Sequence, residues 1–138
     1  MAKLDLLGDL YAPDCPGRDI LDHVMSRWGT LVMLALHDGT YRFSELRRRV
    51  DGVSEKMLSQ TLRLLEEDGF VLRRDFGEVP PRVEYELTPM GKELARHIAA
   101  LGKWISDNTT KVLAAREEHQ RGRAGTGLRP APTRVPRG

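Results

Sequence analysis

Between residues 54 and 68 the apolar and polar positions separate with a helical period. At about 100° per residue, Leu58, Leu62 and Leu65 fall together, flanked by Met57, Thr61 and Leu64, while Lys56, Ser59, Gln60 and Arg63 gather on the opposite side. Ser54 is a good N-cap for this helix, which ends in three acids, Glu66, Glu67 and Asp68. Upstream, Ile20, Leu21, Val24 and Trp28 recur at helical spacing and predict a first helix, and Thr30 to Leu36 predicts a second, closed by Asp38-Gly39; both are expected in the core. A third helix carries Phe43, Leu46 and Val50 on one stripe, with Ser44 as its expected cap and Arg47, Arg48 and Arg49 partly turned away. Asp51-Gly52-Val53 then breaks the chain before Ser54.

After the acidic end the period changes. Val71 to Phe76 and Arg82 to Leu87 predict two strands, the second alternating strictly with Val83, Tyr85 and Leu87 on one face, and Gly77, Pro80 and Pro81 fall in the exposed connection. Thr88-Pro89 starts a final helix whose apolar face runs through Leu94, Ile98, Leu101 and Ile105, widened by Trp104 and extended by Val112. Gly102 and Asn108-Thr109-Thr110 are weak helix formers and are expected to bend or split it. The fold class is therefore mainly α with a small β-hairpin (α+β).

Helix, short glycine-containing turn, helix is the outline of a helix-turn-helix. In that arrangement the N-terminal half of the 54–68 helix would enter a major groove, where arginine matches guanine, glutamine matches adenine and serine either. The acidic end would face away from phosphate. Arg73, Arg74 and Arg82 add positive charge on or near the hairpin, where it would meet the DNA backbone or minor groove. A solvated polar face on an ordinary amphipathic helix, and arginines serving as edge protection on a hairpin, are the plainer alternatives.

Charge modifies this picture only locally. The chain has 138 residues, 30% of them charged, and a net charge of +2. Residues 121–138 hold Arg121, Arg123, Arg129, Arg134 and Arg137 and no acid, leaving 17 basic against 20 acidic side chains in the preceding 120 residues. A body with a slight acidic excess is not a nucleic-acid binder by total charge, so the case rests on where the charges sit. One domain over residues 1–120 and a disordered basic Gly/Pro/Arg tail over 121–138 is the expected organisation, the tail being either a solubilising remnant or an arm attracted to phosphate. No apolar run approaches the ~18 residues of a membrane span and no secretory leader is evident, so a cytoplasmic chain is expected. His23, His37, His97 and His119 stand in no metal-ligand spacing, and no phosphate loop or nucleophile motif is present. Neither an enzyme, a metal nor a cofactor is expected.

Cys15-Pro16, "SRWGTLVMLALHDGTYRFSELRRRV", "VSEKMLSQTLRLLEEDGFVLR" and "VPPRVEYELTPMGKEL" together resemble the HxlR-type winged helix-turn-helix transcriptional regulators of bacteria over roughly residues 14–105. The resemblance implies a homodimeric regulator of a nearby promoter, more often a repressor, with dimerisation through N- and C-terminal helices. Its recognition helix corresponds to Ser54 through Asp68, which makes Ser54, Lys56, Ser59, Gln60 and Arg63, with Arg74 and Arg82 from the wing, the expected DNA contacts. Leu94, Ile98, Leu101, Trp104 and Ile105 are the expected dimer interface, and bacterial cytoplasm with nucleoid association is the implied location.

Cys15 sits where several such relatives sense oxidants or electrophiles. A helix N-terminus favours the thiolate, the reactive form, and Arg18 adds to this while Asp14 and Asp19 oppose it. With one cysteine in the chain, a disulfide would have to join two subunits or a small thiol. The plainer alternative is a small buried hydrophobe. A small apolar effector near Trp28, Met33 and Trp104 is a further expectation, against the reading of those side chains as core. The rival functional class is a winged-helix module that binds protein instead of specific DNA.

Overall fold

The computed structural model describes residues 8–126. In chain order these form α1 (Pro16–Met25), α2 (Arg27–Asp38), β1 (Tyr41–Arg42), α3 (Phe43–Arg49), α4 (Glu55–Glu67), β2 (Val71–Asp75), β3 (Val83–Leu87) and α5 (Pro89–Thr126). The strands make one antiparallel sheet in the order β1-β3-β2, with Tyr41 opposite Tyr85 and Val71 opposite Leu87. Mostly helical and finished by a β2–β3 wing, this is the expected fold class, with β1 an addition.

The chain turns between α1 and α2 at Ser26, whose extended backbone and Oγ cap α2 by accepting from the Gly29 amide at 3.0 Å. Gly29 is required at that turn, because a Cβ there would lie 2.0 Å from the His23 carbonyl oxygen. The helical spacing from Ile20 to Trp28 thus runs through a break. Trp28 belongs to α2, and Ile20 and Leu21 are exposed instead of lying in the core; only Val24 of α1 is fully buried. Ser44 likewise lies inside the first turn of α3 instead of capping it. Pairing of β1 with β3 brings the chain straight from strand into helix at Arg42, whose amide donates to Glu45 Oε1 at 2.7 Å.

Val32, Met33, Leu46, Leu58, Leu62 and Leu65 are the largest fully buried side chains, so α2, α3 and α4 converge on one core that Val71, Tyr85, Leu87, Ala95 and Ile98 complete. Gly69, at φ 82°, ends α4, and the Phe70 amide bonds back to the Leu65 carbonyl at 2.9 Å. Thr88 ties the far end of the wing to that turn: its hydroxyl donates to the Gly69 carbonyl at 2.6 Å and accepts from the Gly91 amide at 3.0 Å.

Helix α5 is continuous over 38 residues and is not split at Gly102 or at 108–110. Asn108 and Thr109 lie within it, their side chains donating to the carbonyls of Trp104 and Ile105, at 2.8 and 2.6 Å. The described chain divides into two units inside this helix, one ending at Ala100 and the next starting at Leu101. Residues 121–126, expected in the tail, are helical; 127–138 lie outside the described residues. No helix of the described residues is long and apolar enough to cross a membrane.

Candidate nucleic-acid interface

The turn between α3 and α4 sets the site. Val50 and Val53 are buried and anchor its two ends, while Gly52 supplies the φ of 93° that an L side chain would resist. Ser54 then caps α4, its Oγ accepting from the Met57 amide at 3.1 Å. From this start the phase of the helix decides what faces out. Leu58, Thr61, Leu62 and Leu65 are buried, and Ser54, Lys56, Ser59, Gln60 and Arg63 are all exposed.

Lys56, Ser59, Gln60 and Arg63 make no side-chain hydrogen bond or ion pair with any described residue. Two cations, a hydroxyl and an amide are thus available in full to an external partner. The acidic end is treated differently: Asp68 Oδ2 lies 2.6 Å from His23 Nδ1 on α1, so that carboxylate is held toward the body.

The wing carries Arg74 and Arg82, and both are engaged. Arg74 Nε donates to Glu86 Oε1 at 2.7 Å. The Arg82 guanidinium stacks 3.9 Å from the centre of the Phe76 ring, with Glu78 at 3.7 Å and Glu84 at 3.9 Å. Arg73 lies 3.9 Å from Asp75. These arginines are compensated by acids within the hairpin, whereas Lys56 and Arg63 of α4 form no ion pair with a described residue.

Sequence reasoning left two arginines out of the site. Arg47 and Arg48, with Ser44 and Glu55, line a cleft of about 570 Å³ at the turn between α3 and α4. Both are exposed; Arg47 reaches Glu55 at 3.8 Å and Arg48 has no ion pair among the described residues. The signal was the run Arg47-Arg48-Arg49 beside the buried Leu46 and Val50. Of the three, Arg49 instead turns to Asp38 at 3.7 Å. The first helix of a helix-turn-helix crosses the phosphate backbone, which suits these positions.

The remaining expected sites divide. Cys15 is the N-cap residue of α1 and is buried, at 4% exposure. Leu94 and Ile98 are taken up by the chain's own core, so of the five expected interface residues only Leu101, Trp104 and Ile105 are exposed, at 44%, 58% and 53%. Met33 is sealed at 0% and Trp28 packs on the core, which removes Met33 from any effector site.

Comparison with known proteins identifies this arrangement. The model of the HxlR-like helix-turn-helix family matches residues 23–112, from the residue that holds Asp68 to the middle of α5. The chain belongs to the HxlR-like helix-turn-helix family. This HxlR-like chain is 54% identical over 111 residues to the uncharacterized HTH-type transcriptional regulator YtfH of Escherichia coli (strain K12), covering 80% of this chain and 88% of that one. The solved structure of ytfH from Salmonella typhimurium is 55% identical, covers 79% of this chain and 97% of that one, and superposes with a TM-score of 0.75. The redox regulator HypR in its oxidized form is 36% identical, over 68% of this chain and 97% of that one, with a TM-score of 0.63. Like these relatives, the HxlR-like chain carries the DNA-binding fold of a transcriptional regulator and not that of an enzyme.

Proposed function

We propose that the protein is a repressor that binds a pseudo-palindromic double-stranded operator as a homodimer in the bacterial cytoplasm. The observation that carries this reading is the outer face of α4. Lys56, Ser59, Gln60 and Arg63 stand exposed and unengaged on a helix whose other face is locked into the core. Arg63 and Gln60 supply bidentate matches to guanine and adenine, Ser59 an adaptable donor and acceptor, and Lys56 and Ser54 contacts near the helix start. Arg47 and Arg48 face phosphates on one side and Arg74 and Arg82 on the other. The wing arginines, balanced by Glu86, Glu78 and Glu84, guide position more than they add affinity.

A dimer places two α4 helices in successive major grooves about one helical turn apart, and an occupied operator blocks the promoter. Support for the dimer is the stripe Leu101, Trp104 and Ile105, large apolar side chains exposed along α5. Selection of duplexes from a random library tests the reading. Enrichment of a two-fold symmetric site supports it, and no enrichment favours the protein-interaction module.

Redox control through Cys15 is a second element of the proposal, supported by the likeness to HypR, whose description names it a redox regulator. Burial of Cys15 means that the N-terminus of α1 has to open before an oxidant reaches the sulfur.

A further inference from the structure

One groove away from α3 and α4 gathers positive charge, and the acid in its lining, Glu86, is already paired with Arg74. It lies where the end of α2, the base of β3 and the first turns of α5 meet, with a volume of about 330 Å³. Its walls carry His37, Lys92 and Arg96, and Leu36 and Leu87, both buried, contribute apolar surface. His37, Lys92 and Arg96 are exposed, and their side chains make no hydrogen bond or ion pair with any described residue.

The nearby acids are committed elsewhere or stand apart. Glu86, the one acid lining the groove, accepts from Arg74 at 2.7 Å. Asp38, next to His37 in sequence, lies 3.7 Å from Arg49 on α3. Glu93 forms no ion pair with Lys92 or Arg96. Lys92 and Arg96 are also four residues apart on one helix, where like charges repel and an anion between them relieves the repulsion.

We infer that this groove binds a small organic anion, its carboxylate or phosphate gripped by Lys92 and Arg96 and its body resting on Leu36 and Leu87. Arginine and lysine form charge-assisted hydrogen bonds to such oxygens, and a concave site with an apolar side adds burial that bare surface lacks. The DNA backbone is the less favoured occupant. Neither α3 nor α4 lines the groove, and Leu87 pairs with Val71 at the base of the hairpin, the end opposite the wing tip. Glu86 connects the groove to Arg74, so occupancy reaches a wing arginine through one ion pair. That consequence rests on the proposed DNA-binding function; the binding itself does not.

The test is isothermal titration of the full chain, at constant ionic strength, with inorganic phosphate, acetate and benzoate, in the wild type and in the double variant Lys92→Gln, Arg96→Gln. The expected result is saturable binding of one anion per chain, tighter for benzoate than acetate, and weakened at least about tenfold in a variant whose thermal unfolding is unchanged. No saturation with any of the three probes, or equal binding by the variant, overturns the inference. A variant that keeps anion binding but loses affinity for duplex DNA also overturns it, by assigning the two cations to the phosphate backbone. If the wild type selects no operator, the anion titration still reports on the groove.

Discussion

His23 on α1 and Asp68 at the end of α4 are joined by a 2.6 Å contact between Nδ1 and Oδ2, both side chains partly buried. The contact spans 45 residues of sequence and fixes the end of α4 to α1. His23→Ala is expected to cost about 1 kcal/mol in urea unfolding, the usual net worth of such a bond, and His23→Gln, which keeps a donor, less. Equal losses for the two variants would mean that the imidazole contributes by packing instead.

Gly91 offers a case in which tertiary contact opposes helix propensity. Alanine is the better helix former by about 1 kcal/mol. A Cβ at residue 91, however, would stand 2.0 Å from the Phe70 carbonyl oxygen, and backbone cannot swing away. Gly91→Ala should therefore lower stability by about 1–3 kcal/mol. At Gly122 nothing lies within 4 Å of an added Cβ, so Gly122→Ala should be neutral or slightly stabilising in the same melts.

The exposed stripe on α5 predicts the assembly. Trp104→Asp combined with Ile105→Asp should shift the protein from dimer to monomer in sedimentation velocity at micromolar concentration, while far-ultraviolet circular dichroism stays helical. A wild-type protein that sediments as a monomer would remove the dimer, and with it the symmetric operator.

Much of this molecule was legible in its sequence wherever a local pattern decides local structure. The two faces of α4, the alternation of β3 and the Thr88-Pro89 start each depend on residues a few positions apart. What was hidden depends on partners far away. β1 has two residues, no period to detect, and exists only because β3 pairs with it. With it the cap of α3 lies at Arg42 and not at Ser44. The break at Ser26 was masked by an accidental continuation of the apolar spacing into Trp28, and α5 runs on through Asn108 and Thr109, whose low propensity is one weak term in a helix of 38 residues. In the site, exposure of the α4 face followed from phase, but compensation of the wing arginines by Glu78, Glu84 and Glu86 required the register of the hairpin.

Burial of Cys15 sets its reactivity. Its reaction with a bulky aromatic disulfide is expected to be at least about tenfold slower in the native protein than in urea, since the thiol has to be uncovered first. Equal rates would mean that the start of α1 is already open, and would make direct oxidation simpler.

The central claim is that the outer face of α4 reads bases. Fluorescence anisotropy on the selected duplex and on random duplexes, across a salt series, compares the wild type with Arg63→Ala and Lys56→Ala. The selected site should bind at least about a thousandfold tighter than random DNA, with Arg63→Ala losing about 1–3 kcal/mol of that preference. Lys56→Ala should mainly weaken every duplex and reduce the salt slope by about one. If both variants bind all duplexes as the wild type does, or if all binding fades equally with salt, the α4 face is a solvated surface and the account of specific recognition is wrong.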